Sequence, residues 1–392
     1  MIIVKYLFWL SIFFVFYSYF GYAIFIKLYL LFKNIIYRKI EYINTYFQPY
    51  VTVVVAAYNE EDIILDKIKN CLGLNYPGKK LKFVFVADGS SDGTVNIIKL
   101  YPQIELYFLP ERKGKVAAIN RVMDKIETEF VIFCDANTLL NNDAVKEIVK
   151  HYSNKKIGGV AGEKKVIPVI GFDNSGTESE GLYWKYESKL KQIDSDFYSV
   201  VGAAGELFSI RTHLFEPVET NVLLDDFIIS MNICKKGYRI IYEPKAYAIE
   251  AASITMKDEK NRKIRISAGG FQSVAMLRSL LNIFKYGKLS FLYISHRVLR
   301  WVLCPFLLPV ILICNLYLVQ FLQSFFYQAL LITQLVFYGM ALMGWIFIKK
   351  NKKISLFYSI YYFVFMNMIM YLGFIRYLNN KQSVLWVKAK RK

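Results

Sequence analysis

From residue 6 to residue 26 the chain reads YLFWLSIFFVFYSYFGYAIFI, with no charged side chain. A run of about 20 apolar residues matches the hydrocarbon thickness of a bilayer. It has no small-residue cleavage site, so it reads as an anchor and not as a signal peptide. Only Lys5 precedes it, whereas Lys27, Lys33, Arg38 and Lys39 follow. That asymmetry puts the N-terminus outside and the following domain in the cytoplasm. Three more apolar runs, residues 301–321, 325–348 and 354–375, close the chain. If all three cross, the basic tail Lys388–Lys392 lands outside, against the same rule. Tyr361, Tyr362, Asn367 and Met368 make the last run the weakest spanner, so crossing, re-entrant and interfacial placements all stay open.

The chain has 392 residues, is 55% hydrophobic and has a mean hydropathy of +0.30, too apolar for an ordinary soluble enzyme. It is also basic, with 50 Lys and Arg against 31 Asp and Glu. Much of that charge flanks apolar segments, as at Lys349, Lys350, Lys352 and Lys353. The expected partner of the basic charge is therefore membrane lipid and not nucleic acid. Cys71, Cys134, Cys234, Cys304 and Cys314 form no CxxC pair and are odd in number, which suits reduced packing residues. His151, His213 and His296 have no metal-ligand spacing.

The region between the anchor and the closing runs has a different grammar. VTVVVAAYNEEDII (51–64) is a β-branched run that breaks into an acidic helix start. KFVFVADGSSDGT (82–94) and FVIFCDANTLLNNDAVKEIVKHY (130–152) repeat the pattern. Strands separated by helical stretches predict an α/β domain with a parallel sheet, whose ligands bind at the carboxyl ends of the strands. The polar clusters at residues 59–61, 88–94 and 135–137 all fall there, so they are expected to meet in one crevice. Asp135 and Asn137 offer two hard oxygen donors of the kind Mg²⁺ or Mn²⁺ prefers. From DAN alone, the plainer reading is a carboxylate that caps the following turn.

VVVAAYNEEDII, VADGSSDGT and FCDAN, in this order, resemble the family-2 glycosyltransferases of the GT-A fold. GAAGELFSIR (202–211), LLDDF (223–227) and RKIRISAGGFQ (262–272) extend the likeness. ISHRVLRW and QSVLWVKAKR look like the membrane-embedded branch, which includes hyaluronan, poly-N-acetylglucosamine and cellulose synthases. The resemblance implies a Rossmann-like cytoplasmic domain combined with transmembrane helices. It implies that Asn59, Glu60 and Asp88 hold the nucleotide, and that Asp135 and Asn137 stand at the Asp-x-Asp metal motif with Mg²⁺ or Mn²⁺. Asp226 would be the catalytic base, and Lys263 and Arg265 would grip the diphosphate. Two departures stand out: Asn137 replaces the second acid, and Ile266 replaces a tryptophan that contacts the acceptor sugar.

Other residues carry plainer alternatives. DGSSDGT is turn-prone, so Asp88 also fits a turn and Asp92 fits an N-cap. Lys113 and Lys115 in ERKGK fit a solvated face, with Lys115 also able to approach the nucleotide. GLYWKYE (181–187) reads as an aromatic helix face, with Trp184 as the candidate acceptor contact. Asp225 and Asp226 also suit a helix N-terminus. The expected division is an anchor and linker (1–47), a glycosyltransferase domain (48–260), basic amphipathic interface helices (261–300) and a C-terminal membrane region (301–392). The expected function is a multi-pass inner- or plasma-membrane inverting glycosyltransferase, using a nucleotide sugar (UDP-linked) to extend a β-linked polysaccharide. Single-sugar transfer to a lipid or polyprenyl-phosphate acceptor is the alternative within enzymes. A non-catalytic partner or export subunit of a synthase is the alternative of another class.

Overall fold

A computed structural model of the chain describes residues 1–36, 44–167, 175–251, 256–350, 352 and 354–379. The basic tail and QSVLW lie outside the described residues, as do Arg38, Lys39 and Lys353.

The mixed sheet has eight strands: β1 Val51–Ala57, β2 Leu81–Asp88, β3 Ile104–Leu109, β4 Phe130–Asp135, β5 Thr138–Leu140, β6 Ile157–Ile167, β7 Leu207–Arg211 and β8 Arg239–Ala251. Their order is β3-β2-β1-β4-β7-β6-β8-β5, with β3, β2, β1 and β4 parallel and β7 antiparallel to β4. The chain winds outward from β1 to β3 and then returns to place β4 on the other side of β1. A crevice opens at such a reversal, outside the carboxyl ends of the strands.

Alternation explains why β1 is apolar except at Thr52, whose hydroxyl is paired with that of Thr128 at 2.7 Å. Val51, Val53 and Val55 enter one buried cluster with Phe85, Ile132 and Ile64, while Val54 enters another with Val86, Phe133 and Phe208. A parallel strand covered on both faces has no side to leave polar. The covering helices are α3 Glu61–Leu72, α4 Thr94–Lys99, α5 Lys115–Met123, α6 Ala144–Val149, α7 Ser175–Phe197 and α8 Asp225–Lys235.

The membrane side contains α1 Ile2–Phe16 and α2 Tyr22–Ile36, joined by a wider π turn, Tyr17–Gly21. After the sheet come α9 Met256–Met276, α10 Ile283–Tyr286, α11 Lys288–Leu292, a π-helical stretch Tyr293–Leu303, α12 Cys304–Leu322, α13 Phe325–Lys349 and α14 Ser355–Leu378. Among the described residues four helical stretches are long and apolar enough to cross a membrane: Ile2–Lys33, Lys288–Leu322, Phe325–Lys349 and Ser355–Leu378. The second begins well before residue 301, because α11 and the π stretch run directly into α12. Likewise α9 begins before residue 261.

Three interactions bind the layers together. Asp194 and Glu187, two turns apart on α7, reach the π stretch: His296 Nδ1 lies 2.5 Å from Asp194 Oδ2, and Arg300 and Arg297 lie 2.7 and 3.1 Å from Glu187. Tyr22 donates to the other oxygen of Asp194. The last helix, α14, lies along α9, with Phe271 against Phe374 and Ser267 donating to Met370 Sδ at 3.3 Å. Finally, Arg297 Nε donates to Val201 O at 3.2 Å, and Trp301 packs on Phe227.

Gly202 follows Val201 with φ +84°, and a Cβ there would overlap the Phe227 ring. Substitution with alanine meets both backbone strain and overpacking, at a cost of about 2 kcal/mol or more. Gly202→Ala is therefore expected to lower the thermal midpoint of the detergent-solubilised protein clearly. A midpoint equal to that of the parent would show that the loop yields.

Candidate functional site

The crevice begins with two loops that hold each other. Asn59, just past β1, takes a left-handed φ of +51°, which asparagine tolerates better than most residues. Its backbone N–H donates to Ser90 Oγ at 3.1 Å, and its Oδ1 accepts from Ser91 N at 2.8 Å. The Glu60 N–H donates to Thr94 Oγ1 at 2.8 Å. Asp92 accepts from Thr94 and from Glu61 N, the turn and cap role expected of it. Asn59 and Glu60 thus come together with the Asp88 loop.

Asp88 does more than line that loop. It is buried at the end of β2, and its Oδ2 accepts from Lys113 N at 3.0 Å and Gly114 N at 2.6 Å. Arg121 lies 3.7 Å from Oδ1. Asp88 therefore pins the turn that launches α5, whose first residue is Lys115.

Lys115 is the centre of the arrangement. Its Nζ lies 2.6 Å from Asp135 Oδ1, at the end of β4. Burial alone would lower its proton affinity, but Asp135, Asp225 and Asp226 outweigh that and hold it well above the usual lysine value. The solvated-face reading of Lys115 does not hold, whereas Lys113 remains exposed beside Glu111. A Cβ at Gly205 would sit 3.1 Å from Lys115 Nζ and 3.3 Å from Asp226 Oδ2. The loop needs glycine there to let the ammonium and the carboxylate approach.

Asp225 and Asp226 open α8, as a helix start would, yet they face the crevice. Asp226 is pushed up to about 7, first by burial, then by repulsion from Asp225, against the pull of Lys115. The Phe227 N–H donates to Asp226 Oδ1 at 2.8 Å, which leaves Oδ2 on the Lys115 side. Asp225 is buried, with one carboxylate oxygen unpartnered. A carboxylate whose pKa lies near neutrality can take a proton from a hydroxyl.

From α9, Arg265 joins this group: burial lowers its pKa, while Asp225 and Asp135 act in the opposite sense. Lys263 is engaged elsewhere, 3.0 Å from Glu259 and against the Tyr362 ring. Only Arg265 of the expected basic pair therefore meets the carboxylates. Ile266 is 40% exposed.

Asn137 donates from Nδ2 to Glu250 Oε1 at 3.1 Å, so its amide oxygen is the atom left for a ligand. Glu250 also pairs with Lys164, whose Nζ lies 2.5 Å from Glu206 Oε1 and 5.0 Å from the centre of the Trp184 ring. Sequence reading missed Lys164, Glu206 and Glu250, which β6, β7 and β8 bring together from distant parts of the chain. Only Glu206 carried a signal, its place directly after GAAG.

A divalent cation is typical of the GT-A fold. Among the described residues no three His, Cys, Asp or Glu side chains cluster as a ready-made cage. Asp135 and Asn137 instead supply the one carboxylate and one amide that suit a cation completing its shell with substrate phosphates and water. The donor set fits a cation that arrives with a diphosphate.

A family model described as Glycosyl transferase family 2 matches residues 52–218, the stretch that contains Asn59, Asp88, Lys115 and Asp135. Residues 52–218 are therefore similar to the family 2 glycosyl transferases. Its first 26% identical relative is a poly-beta-1,6-N-acetyl-D-glucosamine synthase of Staphylococcus aureus (strain MSSA476), over 60% of this chain and 57% of that protein. The protein of that description from Staphylococcus epidermidis is 27% identical over 62% of this chain and 59% of its own length. The chain thus spans less than two thirds of these relatives. A mannosyltransferase from Pyrobaculum calidifontis, solved with GDP-Man and Mn²⁺, shares the fold with a TM-score of 0.70 at 22% identity, over 96% of this chain and 99% of that one. The sheet domain and the long apolar helices of this chain therefore share the fold of that structure.

If Asp226 serves as a general base, the rate of the catalysed reaction is expected to rise through about pH 7, since a carboxylate accepts a proton only when ionised. Asp225→Asn removes a repelling charge and should move that limb to lower pH. Asp226→Asn should lose transfer by about 10²-fold or more while keeping nucleotide affinity. Retained turnover in Asp226→Asn, or an unmoved limb in Asp225→Asn, would contradict this electrostatic reading.

Proposed function

We propose that this protein is a membrane-bound inverting glycosyltransferase that moves a sugar from a UDP-sugar to a growing β-linked extracellular or envelope polysaccharide. The observation that carries the reading is the Lys115 ammonium set among Asp135, Asp225 and Asp226, with Arg265 of α9 beside them. The names of the staphylococcal relatives suggest N-acetylglucosamine as the transferred sugar.

Asn59, Glu60 and Asp88 hold the nucleoside end of the donor, and Lys115 and Arg265 face its diphosphate. A guanidinium fork suits phosphate oxygens, and a buried ammonium shields them. Asp135 and Asn137 would hold Mg²⁺ or Mn²⁺, and such a cation would supply charge neutralisation for the leaving diphosphate. Asp226 Oδ2 takes the proton of the acceptor hydroxyl. The hydroxyl oxygen then bonds to the anomeric carbon from the side opposite the diphosphate, whose oxygen leaves with the electron pair of the broken bond. Attack from the opposite face inverts the configuration.

Lys27 and Lys33 follow the first apolar run while only Lys5 precedes it, which supports a cytoplasmic domain that takes its donor from the cytoplasm. A synthase or export partner would then receive the product. Ile266 at the position of an acceptor-binding tryptophan favours a second reading, transfer of one sugar to a lipid acceptor.

The deciding experiment is purified protein in lipid, supplied with a panel of UDP-sugars and GDP-mannose, with products sized on a gel. A ladder of long products made from a UDP-sugar is expected, and a single lipid-extractable product would favour the second reading. Activity should vanish in excess chelator and return with Mn²⁺ or Mg²⁺, and Asn137→Asp should lower the metal concentration needed. Full turnover in chelator would remove the metal from the reading. A cysteine at exposed Lys79 should resist impermeant thiol reagents in intact cells, and rapid labelling there would overturn the cytoplasmic placement.

A further inference from the structure

Residues 218–224 lead into α8 and belong to no helix or strand. Their peptide groups have no ladder to join, and two side-chain amides take its place. Asn120 on α5 donates from Nδ2 to Val218 O at 2.7 Å and accepts from Val218 N at 3.2 Å. Gln272 on α9 donates from Nε2 to Asn221 O at 3.0 Å and accepts from Leu223 N at 3.1 Å. A primary amide offers both donors and an acceptor, so each of these grips the segment much as a neighbouring strand would.

The two helices that supply the amides also supply the cations of the crevice. Lys115 opens α5, and Arg265 lies on α9 within electrostatic reach of Asp225 and Asp135. Along α9, Arg265, Gly269 and Gln272 follow the i, i+4, i+7 spacing of a single helix face. That face meets the segment in order. Gln272 bonds at Asn221 and Leu223, and Gly269 lies against Leu223 and Leu224, where a Cβ would come within 2.8 Å. Arg265 then stands toward Asp225. Other contacts hold α9 itself: a Cβ at Gly270 would sit 3.0 Å from Trp301, and one at Gly373 of α14 would overlap Ser267. The entry to α8 is therefore strung between α5 and a helix that is fixed independently.

We propose that Gln272 and Asn120 are positioning residues for the transfer reaction. Their amides suspend the segment before α8 between the helices of Lys115 and Arg265, and so hold Asp226 at the distance from those cations that the acceptor hydroxyl requires. The inference rests on the reading of Asp226 as the base. Lys115 and Arg265 pull on the adjacent acids of α8 from two sides, and a segment with no regular structure resists neither pull unaided. The amides supply the restraint without adding a charge to a crevice whose balance is already set by two cations and three acids.

The test uses the full-length protein in lipid with Mn²⁺ and the panel of UDP-sugars and GDP-mannose, and compares the parent with Gln272→Met, Asn120→Leu and Asp226→Asn. Gln272→Met keeps the length of the side chain and removes both hydrogen bonds, and the half-buried position should tolerate it. Its kcat should fall about tenfold or more, as expected when a reacting group is slightly misplaced. UDP affinity and donor KM should stay as in the parent, because α9 still carries Arg265 in place. Asn120→Leu should show the same split. Added to Asp226→Asn, Gln272→Met should cost nothing further, since a residue that acts through Asp226 has nothing left to position. A merely stabilising contact would lower the thermal midpoint, leave kcat untouched and add its loss in full. An unchanged kcat in folded Gln272→Met, or an additive loss in the double variant, overturns the clamp and leaves the role of Asp226 standing. If Gln272→Met fails to fold, Asn120→Leu and its combination with Asp226→Asn decide by the same criteria. A parent that transfers no sugar from any donor, or an Asp226→Asn that turns over like the parent, overturns the underlying reading instead.

Discussion

Lys115 is the charge on which the crevice depends. Asp135, Asp225 and Asp226 come from two elements far apart in sequence, and gathering three carboxylates in one crevice is unfavourable without a cation among them. The ammonium 2.6 Å from Asp135 supplies it, and its pull on Asp226 opposes the burial and the neighbouring acid that push that group up to about 7. The position of Lys115 is in turn set by Asp88, which clamps the two peptide groups just before it. One carboxylate of the donor-binding loop thereby fixes the cation that tunes the carboxylate on α8.

A second dependence runs through α7. Glu187 and Asp194 fasten it to the π stretch that leads into α12, and Tyr22 ties the first membrane helix to the same carboxylate. Glu187 and His296 are buried, so each charge there relies on the others to offset desolvation. Arg297, shared between Glu187 and Val201 O, extends the seam to the loop containing Gly202, whose neighbour Phe227 adjoins Asp226. The long apolar helices and the carboxylate of Asp226 are consequently linked by one chain of packed contacts.

Much of this was readable in the chain itself. Uncharged apolar runs, β-branched strands ending on polar loops and the order of YNEED, DGSSDGT and DAN each follow from local rules: bilayer thickness, burial on both sheet faces, and turn chemistry. They pointed to the long apolar helices, to the α/β domain, and to the strand-end clusters at Asn59, Asp88 and Asp135, whereas Asp226 was suggested only by the family resemblance. They also drew the C-terminal membrane region from residue 301, where the uncharged apolar run begins. The fold buries those arginines against Glu187 and lets the helix begin at Lys288.

Tertiary structure decided what depends on partners remote in sequence. ERKGK looks like a solvated basic face, and only the approach of β4 and α8 turns Lys115 into the counter-charge of three acids. Lys263 and Arg265 look equivalent on paper, yet α9 gives the first to Glu259 and Tyr362 and the second to Asp225 and Asp135. Lys164, Glu206 and Glu250 carry no common motif, since they are neighbours only where β6, β7 and β8 converge. Sequence determined which segments are apolar, where strands end and which polar residues stand at those ends, because these are properties of consecutive residues. Which charge meets which, and how far each pKa moves, was left to the fold, because electrostatic energy depends on distance and burial and neither is written along the chain.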